Sequence, residues 1–391
     1  MNAGLRLWQV QKVQGTGLCI GADPHFEPDG VLNEAFYRRF AEPGIKVNFA
    51  EILRVFLRVC NRQEILLGAR PIDTERAAIF LSGVIGYFLQ VINAAWQCGI
   101  RVFKPQSAFY ERFDPIGSVI KSIVCRQIDS LARSGHSLIF KILDVKRGDV
   151  ELTQEPYFAV SLTASDDEVC PGIPGQYGFD AMTITTWMGE NVLMPGRKYF
   201  EQGNGAIVVT RSSNPSGTTL QDAYITPNPE VQLSAKQEPF RYRQETHEEL
   251  VGILGRQPMA HELMLFLTER FSREQGLNED RVSPIFSVMG STVKMLPSFR
   301  QLRPSGIALI PGYGGQKGEE SNVIPLYVSE GPLRGHIGIK SSSRNHNFPW
   351  MTKFGGSGRV EDLDHEMERV ITEFRANEKQ AYLDAGLEYP F

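Results

Sequence analysis

The stretch IFKILDVKRGDVELT, residues 139–153, runs an apolar segment directly into three charged residues, Asp144, Lys146 and Asp149. Its β-branched and aromatic content predicts a strand, and side chains on a strand alternate between faces, so Asp144 and Lys146 should point the same way. Asp149 follows Gly148, where the chain is free to turn out of the strand. Charges at the end of a buried strand need a reason, and in a parallel barrel this end is the C-terminal mouth, where barrel enzymes hold their chemistry.

Working outward from this segment, seven more short apolar runs precede or follow it. The eight cover 18–24, 101–108, 137–146, 179–187, 206–213, 285–290, 306–311 and 336–342. Helical periodicity is clearest at 74–98, 115–134, 248–274 and 360–385. Strands alternating with helices predict an α/β fold with a parallel sheet. Eight of them point to a closed (β/α)8 TIM barrel, although counting alone leaves a doubly wound sheet open. The expected organisation is a single barrel domain, 1–391, with helical insertions at 26–73 and 224–244; the first contains an amphipathic segment at 33–60.

Composition narrows the function classes. With 391 residues, 42% of them hydrophobic, the chain can build a large core. A net charge of -4 and a pI near 6.0 supply no basic field for a nucleic acid polymer or an anionic membrane, so any phosphate binding must be local. Cysteines at 19, 60, 98, 125 and 170 have neither zinc spacing nor an even count, which argues against a structural metal and a disulfide framework. No signal-like start and no run of 18 apolar residues is present, so the expected location is cytoplasmic, with no membrane partner.

The strand ends repeat the charged theme. Lys104 stands before Pro105 in VFKPQSAFYE, and Asp23 before Pro24 in LCIGADPHF. Three successive strands thus deliver Asp23, then Lys104, then Asp144 with Lys146, to one rim. Each alone could be an ordinary surface ion pair, which is common and nearly free. Together they are read more economically as a site, in which every charge favours the ionised form of its neighbour. The glycine-rich IPGYGGQKG follows the seventh run, where barrels often bind phosphate through backbone N–H groups.

DVKRGD followed by Thr153 resembles the DxKxxD…T signature of the orotidine 5′-monophosphate (OMP) decarboxylases. GADP, FKPQSAFYE, DAMTITTWMG, VVTRSSNPSGTTLQ, VMGST, IPGYGGQKG and SSSR occur in the order expected of the longer, bacterial-type branch. The resemblance implies that Lys104, Asp144, Lys146 and Asp149 form a catalytic tetrad, with Lys146 as proton donor. It implies further that Asp23 binds ribose hydroxyls, Ser213 the pyrimidine ring, and Gln316 with Arg344 the 5′-phosphate. Asp149 and Thr153 would reach into a neighbouring subunit's pocket, making the protein a homodimer with shared sites. The substrate would be OMP, converted to UMP and CO2 in pyrimidine biosynthesis, with no cofactor and no metal. Ala22, Thr186-Trp187 and Lys317 depart from the family pattern.

Two other readings stay open at this stage. One is a Mg2+-dependent sugar-phosphate decarboxylase or synthase, since such barrels share a DxKxxD-like strand. The other is a catalytically silent barrel that binds UMP-like nucleotides. His25, Ser212 and the aromatic helix around Phe80, Tyr87, Phe88 and Trp96 take the plainer readings: a loop hydrogen bond, a serine turn and core packing.

Overall fold

The computed structural model describes residues 1–41, 49–66, 72–164, 166–231, 233, 242–279, 281–290, 298–313 and 320–391. Eight parallel strands close into a barrel in sequence order: β1 Leu18–Ile20, β2 Val102–Phe103, β3 Phe140–Arg147, β4 Ala181–Ile184, β5 Gly205–Arg211, β6 Ile285–Met289, β7 Ala308–Tyr313 and β8 Ile339–Ser342, with β8 pairing back to β1. The expected (β/α)8 barrel is therefore the observed one. Most strands are shorter than the runs that announced them. β2 leaves regular pairing before Lys104-Pro105, because proline brings no N–H to a ladder.

Alternation along the strands sorts the two cores. Val102, Phe140, Ile142, Ala181, Ile207, Phe286, Val288, Leu309 and Ile339 pack inside the barrel. Leu143, Met182, Ile184, Ala206 and Val208 face outward to the helices. The N-terminal end of the barrel is closed by α1, Ala3–Gln14, whose Ala3, Leu7, Trp8 and Val10 join the interior cluster. Its side-chain pattern was not read as a helix, since glutamines interrupt the apolar stripe; two of these, Gln11 and Gln14, are themselves buried and bond backbone carbonyls around β1 and β8.

Helix α2, Thr74–Gln97, begins at Asp73, whose carboxylate accepts the Arg76 N–H at 3.1 Å. It is long and apolar enough to cross a membrane, yet 72% of its most apolar stretch is buried inside the protein. Gly83 explains how it packs: a Cβ there would stand 2.0 Å from the Tyr37 carbonyl oxygen, so glycine lets the short helix Glu34–Arg38 lie directly on it. A second helix of the first inserted segment, Phe49–Leu66, packs Leu53 and Leu57 into the same core.

The helix expected over 248–274 is two, Gln244–Leu254 and Ala260–Glu274. Gly255 takes a left-handed φ of 68° and ends the first, while the second opens just after Pro258. Of the second inserted segment, Ile225 bonds the Pro258 carbonyl, whereas 232 and 234–241 lie outside the described residues. A two-stranded antiparallel hairpin, Glu168–Cys170 with Ile173–Pro174, was not expected. The C-terminal helix Leu363–Asp384 is tied to the barrel wall by a buried ion pair, Lys340 to Glu378 at 3.0 Å.

Candidate active site

The strand that decided the fold also builds the site. Phe140 and Ile142 point into the barrel, and the next inward residue, Asp144, arrives at the C-terminal rim beside Lys104, which directly follows β2, two residues on from the inward Val102. Lys104 Nζ donates to Asp144 Oδ2 at 2.8 Å, and Lys146 Nζ donates to Oδ1 at 2.5 Å. Thr183 of β4 adds its hydroxyl to Oδ1 at 3.0 Å. The side chains of Lys104 and Asp144 are only 8% and 10% exposed, while that of Lys146 is 49% exposed. The array is therefore anchored in the protein and presents one ammonium at the open end.

Burial disfavours charge on Lys104, but Asp144 and then Asp23 outweigh it and hold the lysine pKa above its ordinary value. Burial likewise opposes the Asp144 carboxylate, and the two lysines overcome it, driving its pKa well below the usual range. Lys104 and Asp144 are thus ionised at neutral pH. Cys19, inside the barrel below Lys104, is pushed up to about 12 by burial and stays a thiol.

Strand alternation put Asp144 and Lys146 on one face; the structure joins them differently. β3 bulges between Leu143 and Arg147, and Lys146 takes a left-handed φ of 48°. For a residue other than glycine that conformation costs roughly 1–3 kcal/mol, and such strain concentrates at functional sites. Gly148 then passes so close to β4 that a Cβ would stand 2.3 Å from the Thr185 carbonyl oxygen. The chain turns out of the barrel there, as expected, and enters helix Glu151–Leu162.

Asp149 and Thr153 stand at the head of that helix. Asp149 Oδ1 accepts the Val150 N–H at 2.7 Å, its own N–H meets Gln154 Oε1 at 3.0 Å, and Thr153 is exposed. Within one chain the structure brings three of the four tetrad residues into contact. Asp23 is buried on the same rim, its two oxygens accepting the Gln106 N–H at 2.9 Å and the Ser343 hydroxyl at 2.5 Å. Arg344 is exposed and opens a four-residue helix after β8. Ser213 follows β5 with its backbone against Gly290. Gln316 and Lys317 lie outside the described residues.

Thr183, buried at 1% exposure, is a rim residue to which the sequence assigned no role; its one signal there was its inward position in DAMTITTWMG. His25 makes the loop hydrogen bond expected of it, its Nδ1 2.8 Å from the Asp23 carbonyl, and its ring packs on Phe109 with centroids 4.3 Å apart and planes tilted by 38°. Since a carbonyl only accepts, Nδ1 carries the proton. Burial lowers the histidine pKa, and the nearby Arg344 adds to that effect. Among the described residues no group of three or more His, Cys, Asp or Glu side chains could hold a metal ion.

A closed parallel barrel with a lysine–aspartate–lysine array at its C-terminal rim places the chain among (β/α)8 barrels that carry polar chemistry at the mouth. Similarity to known proteins narrows this class. The chain is 27% identical over 222 residues to the orotidine 5′-phosphate decarboxylase of Rhodopirellula baltica, covering 56% of this chain and 60% of that one. It is 34% identical over 135 residues to the same-named protein of Myxococcus xanthus, covering 34% and 42%. The matched stretches thus span about half the length of these curated relatives. The crystal structure of the Plasmodium berghei orotidine 5′-monophosphate decarboxylase shares the fold, with a TM-score of 0.57 at 15% identity over 97% of this chain and 98% of that one. No protein-family model matches the sequence. In sequence the chain is related to the orotidine 5′-phosphate decarboxylases, as its motifs implied.

Proposed function

We propose that this protein is an OMP decarboxylase, releasing CO2 from C6 of the pyrimidine to leave UMP, and so serves pyrimidine nucleotide biosynthesis. The observation that carries the proposal is the ion-paired Lys104–Asp144–Lys146 array, buried at one end and open at the other. Breaking the bond from C6 to the carboxylate leaves an electron pair in the ring plane, where no carbonyl can delocalise it. Its stabilisation must be electrostatic, and a fixed ammonium supplies that without reorganisation. In this reading Lys146 faces C6, stabilises the developing carbanion and then gives it a proton, with solvent restoring the lysine. Asp144 stands beside the departing carboxylate, and Lys104 keeps Asp144 ionised and fixed. No step is assigned to a metal or cofactor.

Asp23 is read as the ribose ligand, Ser213 as the pyrimidine contact, and Gln316 with Arg344 as the phosphate grip. Asp149 and Thr153 are assigned to the site of a second copy, in a cytoplasmic homodimer built of single barrel domains. Supporting this, two of the three residues between them are apolar and open: Val150 is 59% and Leu152 89% exposed, as an unpaired subunit surface would be.

Incubation of the purified protein with OMP should yield UMP and CO2 in equal amounts; intact OMP after incubation with well-folded protein would refute the reading. Arg344→Ala removes one charge-assisted bond to the phosphate, about 1.5–3 kcal/mol, so the KM for OMP should rise roughly 10- to 100-fold. The kcat should fall as well, because binding energy far from C6 is used to organise the reacting end. Steady-state kinetics check both.

A further inference from the structure

We propose that Thr183 is the positioning residue that aims Lys146 at the reacting carbon, an inference that rests on the reading of Lys146 as proton donor. The register of β3 against β4 is the starting point. Leu143 pairs with Met182 and Arg147 with Ile184, so Asp144, Val145 and Lys146 together oppose Thr183 alone. A bulge of this kind redirects side chains and leaves backbone N–H groups without ladder partners. Here the threonine side chain supplies the partners: its Oγ1 accepts the Val145 N–H at 2.8 Å and the Lys146 N–H at 2.9 Å.

The hydroxyl's orientation follows from its capacity. It has two lone pairs and one proton, both lone pairs are taken by the bulge, and the proton must go to Asp144 Oδ1, 3.0 Å away. That oxygen is the one that receives Lys146 Nζ. Thr183 therefore holds Lys146 twice, through its backbone in a left-handed conformation that a lysine adopts only under constraint, and through the carboxylate that receives its ammonium. At 1% exposure the site leaves water no room to replace the hydroxyl. Thr183 sits behind Asp144 and acts through it.

The test is Thr183→Val, which keeps the shape and removes the hydroxyl, beside Thr183→Ser, which keeps the hydroxyl. A displacement of about 1 Å at a reacting group costs on the order of 100-fold in rate. Thr183→Val should lose kcat by about that factor, with little change in KM. Its acid limb should move to higher pH, because Asp144 has lost a donor; Thr183→Ser should recover most of the rate. A merely structural threonine would reduce the yield of folded protein and leave kcat per folded site and the acid limb in place, and that result overturns the inference. If Thr183→Val does not fold, amide hydrogen exchange of the wild-type protein decides: the Val145 and Lys146 amides should be protected, and exchange at the rate of an open loop overturns the inference. Absence of OMP turnover by the wild-type protein would instead remove the functional reading, while the exchange measurement still tests the anchoring.

Discussion

Replacing Lys146 with alanine should abolish turnover while leaving the protein folded. A positioned general acid contributes roughly 10^2–10^4-fold, and a preorganised electrostatic donor roughly 10^2–10^3-fold more. Because one ammonium is assigned both tasks, kcat should fall by more than about 10^4-fold. The stability cost should be small. The Lys146 side chain is half exposed, and its removal leaves Asp144 still paired with Lys104 and bonded by Thr183. Pairs as open as this contribute about 0–1 kcal/mol. Kinetics and chemical denaturation of the same sample separate the two effects.

Asp144→Ala should do the opposite with respect to stability, besides abolishing turnover. It strips the buried Lys104 of its carboxylate partner, and breaking a buried pair from one side costs about 3–5 kcal/mol. The pH dependence carries a definite sign. The folded pKa of Asp144 is depressed, so its contribution is complete above the unfolded value near ~3.9 and is lost as pH falls through the folded one. The folded pKa of Lys104 is raised, so its contribution is complete below the unfolded value of about 10.4 and is lost as pH rises through the folded one. The stability gap between wild type and Asp144→Ala should therefore be widest between roughly pH 4 and 10 and shrink on either side. A gap that stays constant down to pH 2 would mean that the carboxylate charge is not what matters.

The barrel and the charged strand ends at its rim were legible because they rest on signals local in sequence. An apolar strand ending in a charge can be read at Asp23, Lys104 and Asp144 without knowing their neighbours, and the alternation of strands and helices does the rest. The link between Asp144 and Lys146 was read correctly as proximity but not as geometry, since a bulge set by residues on another strand cannot be seen in β3 alone. Thr183 was missed for the same reason: a buried threonine in a strand looks like any other until the opposing register is known. The break at Gly255 was signalled by glycine and Pro258 but was outweighed by continuous apolar spacing on both sides. Helix α1 was hidden by glutamines whose polarity is used against carbonyls of the barrel rather than against water. The assignments of Asp149 and Thr153 require a second subunit and so depend on an interface that one chain's sequence does not spell out.

Whether Lys146 drives metal-free decarboxylation of OMP is tested most directly by the loss of OMP absorbance on adding purified wild-type protein in EDTA, beside Lys146→Ala at the same concentration. Rapid decay is expected with the wild type and none above background with the variant. Decay at similar rates in both would contradict the role given to Lys146, and no decay in either, with both proteins folded, would contradict the assignment of OMP as substrate.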